Sequence, residues 1–286
     1  MGDRFRRWIQ GYFKVPSLEG YDIVFTNGAD AAIHAVAHSI LAGKNVDCFD
    51  LNYSYASTML AEAASHVTQH ATRWDLEAGV RIHENQPLTG DAVYITNPDN
   101  RLGLTFDSMP ATERGDALLI IDGSYGDFED TDLNASLDGR TLHIRTFSKF
   151  FGLEDQRIAY ILGPAQLMQQ VRKMVPQYAI ATSSITQLDK IVTFSSSDSV
   201  AERRDEIISW KTDIYALLDS YKLTYARSHT DFVTILNASP EELAQLGLNG
   251  IETKTFSIRD DPYTRLRRIT TPLCAEPICR YPHKKG

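Results

Sequence analysis

The chain has 286 residues, 43% of them hydrophobic and 23% charged, with a net charge of −8. This is the composition of a globular protein with a core, and the acidic balance argues against nonspecific binding to nucleic acid. No run approaches the roughly 18 apolar residues of a membrane span, the amphipathic N-terminus M-G-D-R-F-R-R-W-I-Q lacks the apolar stretch of a secretory signal, and the length suggests roughly two domains.

The first predicted element is a helix over Asp3–Phe13, followed by a strand over Asp22–Thr26 (D-I-V-F-T). Asn27-Gly28 breaks that strand before a helix over Ala29–Leu41, whose Ile33, Val36, Ala37 and Ile40 share one buried face. Asn45–Leu51 reads as a strand and the alanine-rich Tyr55–His66 as a helix. Asp91–Thr96 (D-A-V-Y-I-T) and Ala117–Asp122 (A-L-L-I-I-D) are short apolar runs ending in polar residues, as buried parallel strands do. Leu142–Phe147 and Ile158–Leu162 are two further strands. This alternation predicts an α/β fold: a three-layer α/β/α arrangement around a mostly parallel sheet. Ligands of such sheets lie at the carboxyl ends of the strands. Asn27, Asn97, Asp122 and Ser148-Lys149 should therefore converge on one crevice.

Pro164–Val175 is helical, 176–200 is helical with serine-rich breaks, and Val200–Ser220 is a long charged helix. Phe232–Leu236, a helix start at Ser239-Pro240 and a strand at Leu266–Thr270 complete a smaller α+β C-terminal domain. The expected division is a large domain of residues 15–184 and a small domain of 1–14 plus 185–286. The cysteines Cys48, Cys274 and Cys279 are odd in number and lack C-x-x-C spacing, which suits a reducing cytoplasm better than a disulfide or zinc framework. His34 and His38, four apart on a helix, have a structural reading, and no metal is expected.

The stretch R-T-F-S-K-F-F-G-L-E-D-Q-R at 145–157 carries the chemistry. Burial and nearby cations lower a lysine's pKa and make it a nucleophile for carbonyls. Phe147, Phe150 and Phe151 supply apolar surface around Lys149, and Thr146, Ser148 and Arg157 supply donors that suit a phosphate. An aldehyde and a phosphate in one cofactor describe pyridoxal 5'-phosphate, which also needs a carboxylate at its ring nitrogen. Asp122 is the candidate, and Tyr125 reaches the same site. Gly28, Ala29 and Asp30 open a helix whose backbone N–H groups form a second phosphate donor set.

With these residues the chain resembles the fold-type I pyridoxal-phosphate enzymes of the class I/II aminotransferase group, and among them the histidinol-phosphate aminotransferase pattern. The family's R-T-x-S-K and its later arginine stand here with the same spacing, N-P-x-N-P-x-G stands as N-P-D-N-R-L-G at 97–103, and D-x-x-Y as D-G-S-Y at 122–125. G-A-D-E-x-I stands as G-A-D-A-A-I at 28–33, the P-Y lead-in as V-P-Q-Y-A-I-A-T at 175–182, and L-R-I-T as R-R-I-T at 267–270.

The resemblance implies a Schiff-base lysine at Lys149, a ring-nitrogen partner at Asp122, and ring-oxygen partners at Asn97 and Tyr125. It implies phosphate ligands at Ala29, Asp30, Thr146, Ser148 and Arg157, a stacking ring at Tyr53 rather than Tyr55, and a substrate-carboxylate clamp at Arg268. It further implies an aminotransferase for an amino acid or amino-alcohol phosphate, working as a homodimer in the cytoplasm with no nucleic-acid or membrane partner. The same residues would serve a decarboxylase, racemase, oxidase or cyclase of a specialised biosynthetic pathway, and a non-catalytic homologue is a third reading. Departures are Arg101 for the second proline and G-L-E-D-Q for a glycine-rich stretch. The chain also begins after the family's N-terminal arm and stops before its final helix, so an altered substrate pocket is expected. Singly, each residue has a plainer reading. Asp122-Gly123 is a turn dipeptide, Asp30 is a helix N-terminal charge, and Arg268 stands beside Arg265 and Arg267 on what could be a solvated face.

Overall fold

The computed structural model describes residues 2–84, 86–129, 137–195, 197–246, 253–258 and 261–271. Cys274 and Cys279 lie outside them. In chain order the first elements are α1 (Gly2–Tyr12), β1 (Tyr21–Asn27), α2 (Gly28–Ser39), β2 (Asn45–Phe49) and α3 (Ser54–Ala63). Next come β3 (His66–His70), β4 (Thr72–Asp75), β5 (Val80–His83), β6 (Ala92–Thr96), β7 (Thr105–Phe106) and β8 (Leu118–Asp122). β9 (Thr141–Thr146) and β10 (Ile158–Pro164) precede three helices, α4 (Ala165–Met174), α5 (Thr182–Phe194) and α6 (Ser197–Ser220). The last are β11 (Thr224–Ala226), β12 (Phe232–Leu236), α7 (Pro240–Gln245), β13 (Thr253–Ile258) and β14 (Asp261–Thr270).

A seven-stranded sheet in the order β1-β10-β9-β8-β6-β2-β3 forms the middle layer. β9, β8, β6, β2 and β3 pair in parallel. β10 is antiparallel to both of its neighbours, β1 and β9. β6 and β9 are buried along their whole length, as strands covered on both faces must be. On one face Ile33, Val36 and Ala37 of α2 and the Ile40 that follows it pack with Met168 and Val171 of α4 against Val24, Ile120, Ile144 and Ile161. On the other, Phe5 and Ile9 of α1 join Phe147, Phe150, Phe151 and Tyr160, with Leu188 and Ile191 of α5. Each such side chain taken out of water contributes about 1.5–3 kcal/mol before ordering costs. The three-layer, mostly parallel architecture is the expected one.

α1 touches both the central sheet and α5. Phe5 lies 4.7 Å from Phe25 and 5.3 Å from Tyr160, ring centre to ring centre, while Arg4 pairs with Asp189 of α5 at 3.5 Å. The second sheet, β11-β12-β14-β13, is antiparallel throughout. Val233, Ile235 and Ile269 meet Ile214 and Leu218 of α6 on one of its faces. Side chains alternate along a strand, so Phe232 and Thr234 use the other face. Arg268, register partner of Thr234, joins them there.

Two local readings need correction. The helix expected to reach His66 ends at Ala63, and His66 begins β3. A third sheet, β4-β5-β7, had no counterpart among the expected elements. It is anchored by Arg81, whose guanidinium lies 3.9 Å over the Phe106 ring and donates to the carbonyls of Asp50 and Thr96. No helix among the described residues is long and apolar enough to cross a membrane.

Candidate active site

The parallel strands and the single reversed one bring their ends to one edge. β6 ends at Thr96, β8 at Asp122 and β9 at Thr146, and β1 ends at Asn27. Because β10 runs the other way, its first residue, Ile158, is the register partner of Asn27. Arg157 therefore arrives at the carboxyl edge from the start of a strand rather than from its end. A cavity of ≈ 320 Å³ opens there.

Its phosphate-sized corner is built from α2, Arg157 and two hydroxyls. Asn27 precedes α2 and makes no side-chain cap, so the helix's first N–H groups remain for another acceptor. Gly28 has a φ of +78°, and a Cβ there would meet Arg157 Nη2 at 2.6 Å. The glycine is what lets the guanidinium lie against the helix start. Arg157 itself is in the left-handed region, at φ 50°, and its Nη2 reaches Asp30 Oδ2 at 3.5 Å. Thr146 Oγ1 lies 3.0 Å from Ser148 Oγ and accepts the Ser148 N–H at 3.1 Å. Ala29, Asp30, Thr146, Ser148 and Arg157 all border the cavity.

Asp122 is 2% exposed at the end of β8. It accepts hydrogen bonds from Ser124 Oγ at 2.6 Å and from Tyr94 OH at 3.2 Å. Burial pushes its pKa up, and the Ser124 and Tyr94 bonds pull it back only in part. A cationic N–H beside it would offset the burial. This donor set fits pyridoxal phosphate: an uncapped helix start with an arginine and two hydroxyls for the phosphate, a buried carboxylate for the ring nitrogen, and an amine for the aldehyde.

That amine, Lys149, departs from the expectation of a lowered pKa. Burial does pull it down, but Tyr125, Glu154 and Asp231 together push it above the ordinary lysine value. Its Nζ lies 3.2 Å from Glu154 Oε1 and 5.8 Å from the centre of the Tyr125 ring. The groups that most raise it are acidic ones, Tyr125, Glu154 and Asp231.

Tyr125 and Tyr53 border the cavity, whereas Tyr55 borders a neighbouring groove. Tyr125 packs edge-on against Phe232 at 5.4 Å. Arg268 lies 4.5 Å over that same Phe232 ring and donates to Asn100 O at 3.3 Å, so strand alternation does turn it toward the cavity. Asn97 follows β6, and its Oδ1 accepts the Phe106 N–H at 3.0 Å. Thr96 and Asn100, rather than Asn97, border the cavity. Arg101, where the motif has proline, is held in a turn whose Asp99 carboxylate accepts from the N–H groups of Arg101, Leu102 and Leu104.

Residue-by-residue reading missed Glu154, Ser124, Tyr94 and Asp231. Ser124 lies inside D-G-S-Y and Glu154 inside the divergent G-L-E-D-Q, so both had a signal. Tyr94 and Asp231 had none, since their roles come from sheet neighbours.

The sequence model of the family Aminotransferase class I and II matches residues 4–272. An aromatic amino acid aminotransferase of Corynebacterium efficiens is 25% identical over 176 residues, 57% of this chain and 49% of that protein. A histidinol-phosphate aminotransferase of Rhodopseudomonas palustris is 25% identical over 235 residues, 78% of this chain and 64% of that protein. The chain thus spans about half to two thirds of the length of these relatives. The solved histidinol-phosphate aminotransferase of Sinorhizobium meliloti, in complex with pyridoxal-5'-phosphate, superposes with a TM-score of 0.69 at 19% identity. That match covers 97% of this chain and 78% of that one, and it bears on the fold.

Proposed function

The chain belongs to the class I and II aminotransferase family, and from that premise we propose that it is a pyridoxal 5'-phosphate-dependent aminotransferase acting on an amino acid or amino-alcohol phosphate. One observation carries the reading. A lysine amine, a buried carboxylate held by neutral hydroxyls, and an arginine at an uncapped helix start border a single cavity.

When bound, the cofactor supplies an aldehyde for amine exchange and a ring that draws electrons from the substrate Cα. The chain's residues do the rest. The first N–H groups of α2 at Gly28, Ala29 and Asp30, with Thr146, Ser148 and Arg157, hold the phosphate. Asp122 accepts the ring N–H and keeps the proton on that nitrogen. Tyr125 serves the ring oxygen and Tyr53 covers the ring face, while Asn97, set back from the cavity, is given no ring contact. Arg268 takes the substrate carboxylate in a two-pronged contact. Lys149 Nζ, as the neutral amine, takes up the proton released from the substrate Cα.

The same proposal includes a homodimer, a cytoplasmic setting that the buried free thiol of Cys48 suits, and a domain division at about residue 184. The test is a visible spectrum of the protein reconstituted with pyridoxal phosphate, wild type beside Lys149→Ala. A coloured wild type whose cofactor becomes covalently fixed to the chain, with loss of the colour, on borohydride treatment, and whose colour is bleached by an amino donor, supports the proposal. A colourless wild type sinks it.

A further inference from the structure

We propose that Ser124 is a positioning residue for cofactor capture: with Tyr94 it grips the two oxygens of Asp122 and holds that carboxylate as a charged, fixed acceptor for the ring N–H. This rests on the aminotransferase reading and deepens it.

The two oxygens are held from different parts of the chain. Ser124 Oγ donates to Oδ1 at 2.6 Å, and the Ser124 N–H donates to the same oxygen at 3.2 Å. Tyr94, on the neighbouring strand β6, donates from its hydroxyl to Oδ2 at 3.2 Å. Tyr94 is buried in the sheet, whereas Ser124 borders the cavity. Turning the carboxylate about its terminal bond would break a hydrogen bond at each end. The serine is itself held in place by the turn. A Cβ on Gly123 would meet Arg145 Nε at 2.9 Å, so only a glycine lets this stretch lie against the β9 arginine. The Gly126 N–H then closes onto Gly123 O at 2.8 Å. D-G-S-Y is thereby folded back over its own first residue.

Burial alone would make Asp122 a neutral acid. Burial and the Asp30 carboxylate on α2 both favour its protonated form, and the bonds from Ser124 and Tyr94 favour the charged one. A protonated Asp122 offers the ring nitrogen no negative charge. Hydroxyls keep that charge without neutralising it, which a lysine or arginine in their place would do. The other groups near Asp122 are Arg145, which lies against Gly123, and Lys149 and Tyr53, which border the same cavity. Its register partner on β9, Ile144, is apolar.

The plainer role for Ser124 is to close an Asp-x-Ser turn. That role needs the N–H, which alanine keeps. The hydroxyl serves the carboxylate, and alanine loses it. The test exploits this difference. Dissociation constants for pyridoxal phosphate are measured by absorbance titration at about pH 5.5 and about pH 8, below and above the range where a raised aspartate titrates. The proteins are wild type, Ser124→Ala, Ser124→Thr and Tyr94→Phe. The quantity read is the weakening at the lower pH, as a ratio, so that titrations of the cofactor itself cancel between variants. Support is a ratio larger than that of wild type by about fivefold or more in Ser124→Ala. Tyr94→Phe should move it the same way, and Ser124→Thr, which keeps a hydroxyl, should stay near wild type. Should Ser124→Ala fail to fold, Tyr94→Phe beside Ser124→Thr decides the matter. A ratio unmoved by the loss of either hydroxyl, or a threonine variant that behaves like alanine, overturns the proposal while the aminotransferase reading stands. A wild-type protein that takes up no cofactor overturns both.

Discussion

The guanidinium of Arg157 fills the space a side chain at Gly28 would need: a Cβ built on the glycine lies 2.6 Å from Nη2 and 2.9 Å from Cζ. A glycine and an arginine 129 positions apart in the chain are thus one feature, the close approach of a cation to a helix start. Gly28→Ala should break it in two ways, by displacing Arg157 and by forcing a Cβ into a φ of +78°. The expected cost is about 1 kcal/mol or more in stability and about tenfold or more in affinity for pyridoxal phosphate. Thermal unfolding and a cofactor titration measure the two. Unchanged affinity would show that Arg157 does not hold the phosphate from this position.

Asp122 offers a sharper separation of stability from function. In the protein alone its hydrogen-bond partners are Ser124 and Tyr94, both neutral, and burial raises its pKa. Asp122→Asn removes that buried charge while keeping the shape. The cofactor-free protein should be as stable as wild type, or more stable by about 1 kcal/mol. The rate with an amino donor should fall by at least about a hundredfold, because a neutral amide cannot hold a proton on the ring nitrogen. A variant that loses stability and keeps its rate would refute the assignment.

Lys149 sets the pH dependence of cofactor capture. Its pKa is raised, with Tyr125 and Glu154 outweighing burial. The reactive form is the neutral amine, so at neutral pH only a small fraction is competent, and the rate of capture should climb about tenfold per pH unit below that pKa. Glu154→Gln removes a raising charge, which lowers the Lys149 pKa and speeds capture at pH 7 by several-fold. Stopped-flow absorbance across the pH range reads both. A flat profile would mean that the amine is already neutral in the resting protein.

Much of this arrangement was legible in the chain, and the parts that were not have physical reasons. β6, β8 and β9 announce themselves as apolar runs with a polar terminal residue, so the carboxyl-edge site and Asp122 followed from strand rules alone. Arg157 reaches that edge only because β10 is antiparallel, and pairing direction leaves no mark on a seven-residue apolar run. β3 (H-V-T-Q-H) lies at the sheet's margin with mostly exposed residues, so the apolar alternation that marks a half-buried strand is absent. The acidic surroundings of Lys149 were hidden for another reason. Phe147, Phe150 and Phe151 pointed to a dry amine, but Asp231 stands just before β12, 82 positions on, and its effect on Lys149 exists only once the two sheets meet.

The last prediction concerns His143, on the fully buried β9. Burial, with help from Arg145, pushes its pKa down to about 3, and Asp138 offsets only part of this. A histidine depressed in the folded state contributes stability that is fully present above its ordinary value near 6.5 and is lost as pH falls toward the folded value. Between those limits the unfolded chain binds one proton more than the native one. The loss is therefore about 1.4 kcal/mol per pH unit. Asp122, Asp127 and Asp231 have raised pKa values and so pull the other way. The informative quantity is accordingly the difference between wild type and His143→Gln. Urea unfolding at pH 6.5 and at pH 5 should show wild type losing about 2 kcal/mol more than the variant. Equal losses would mean that His143 accepts a proton without leaving the core.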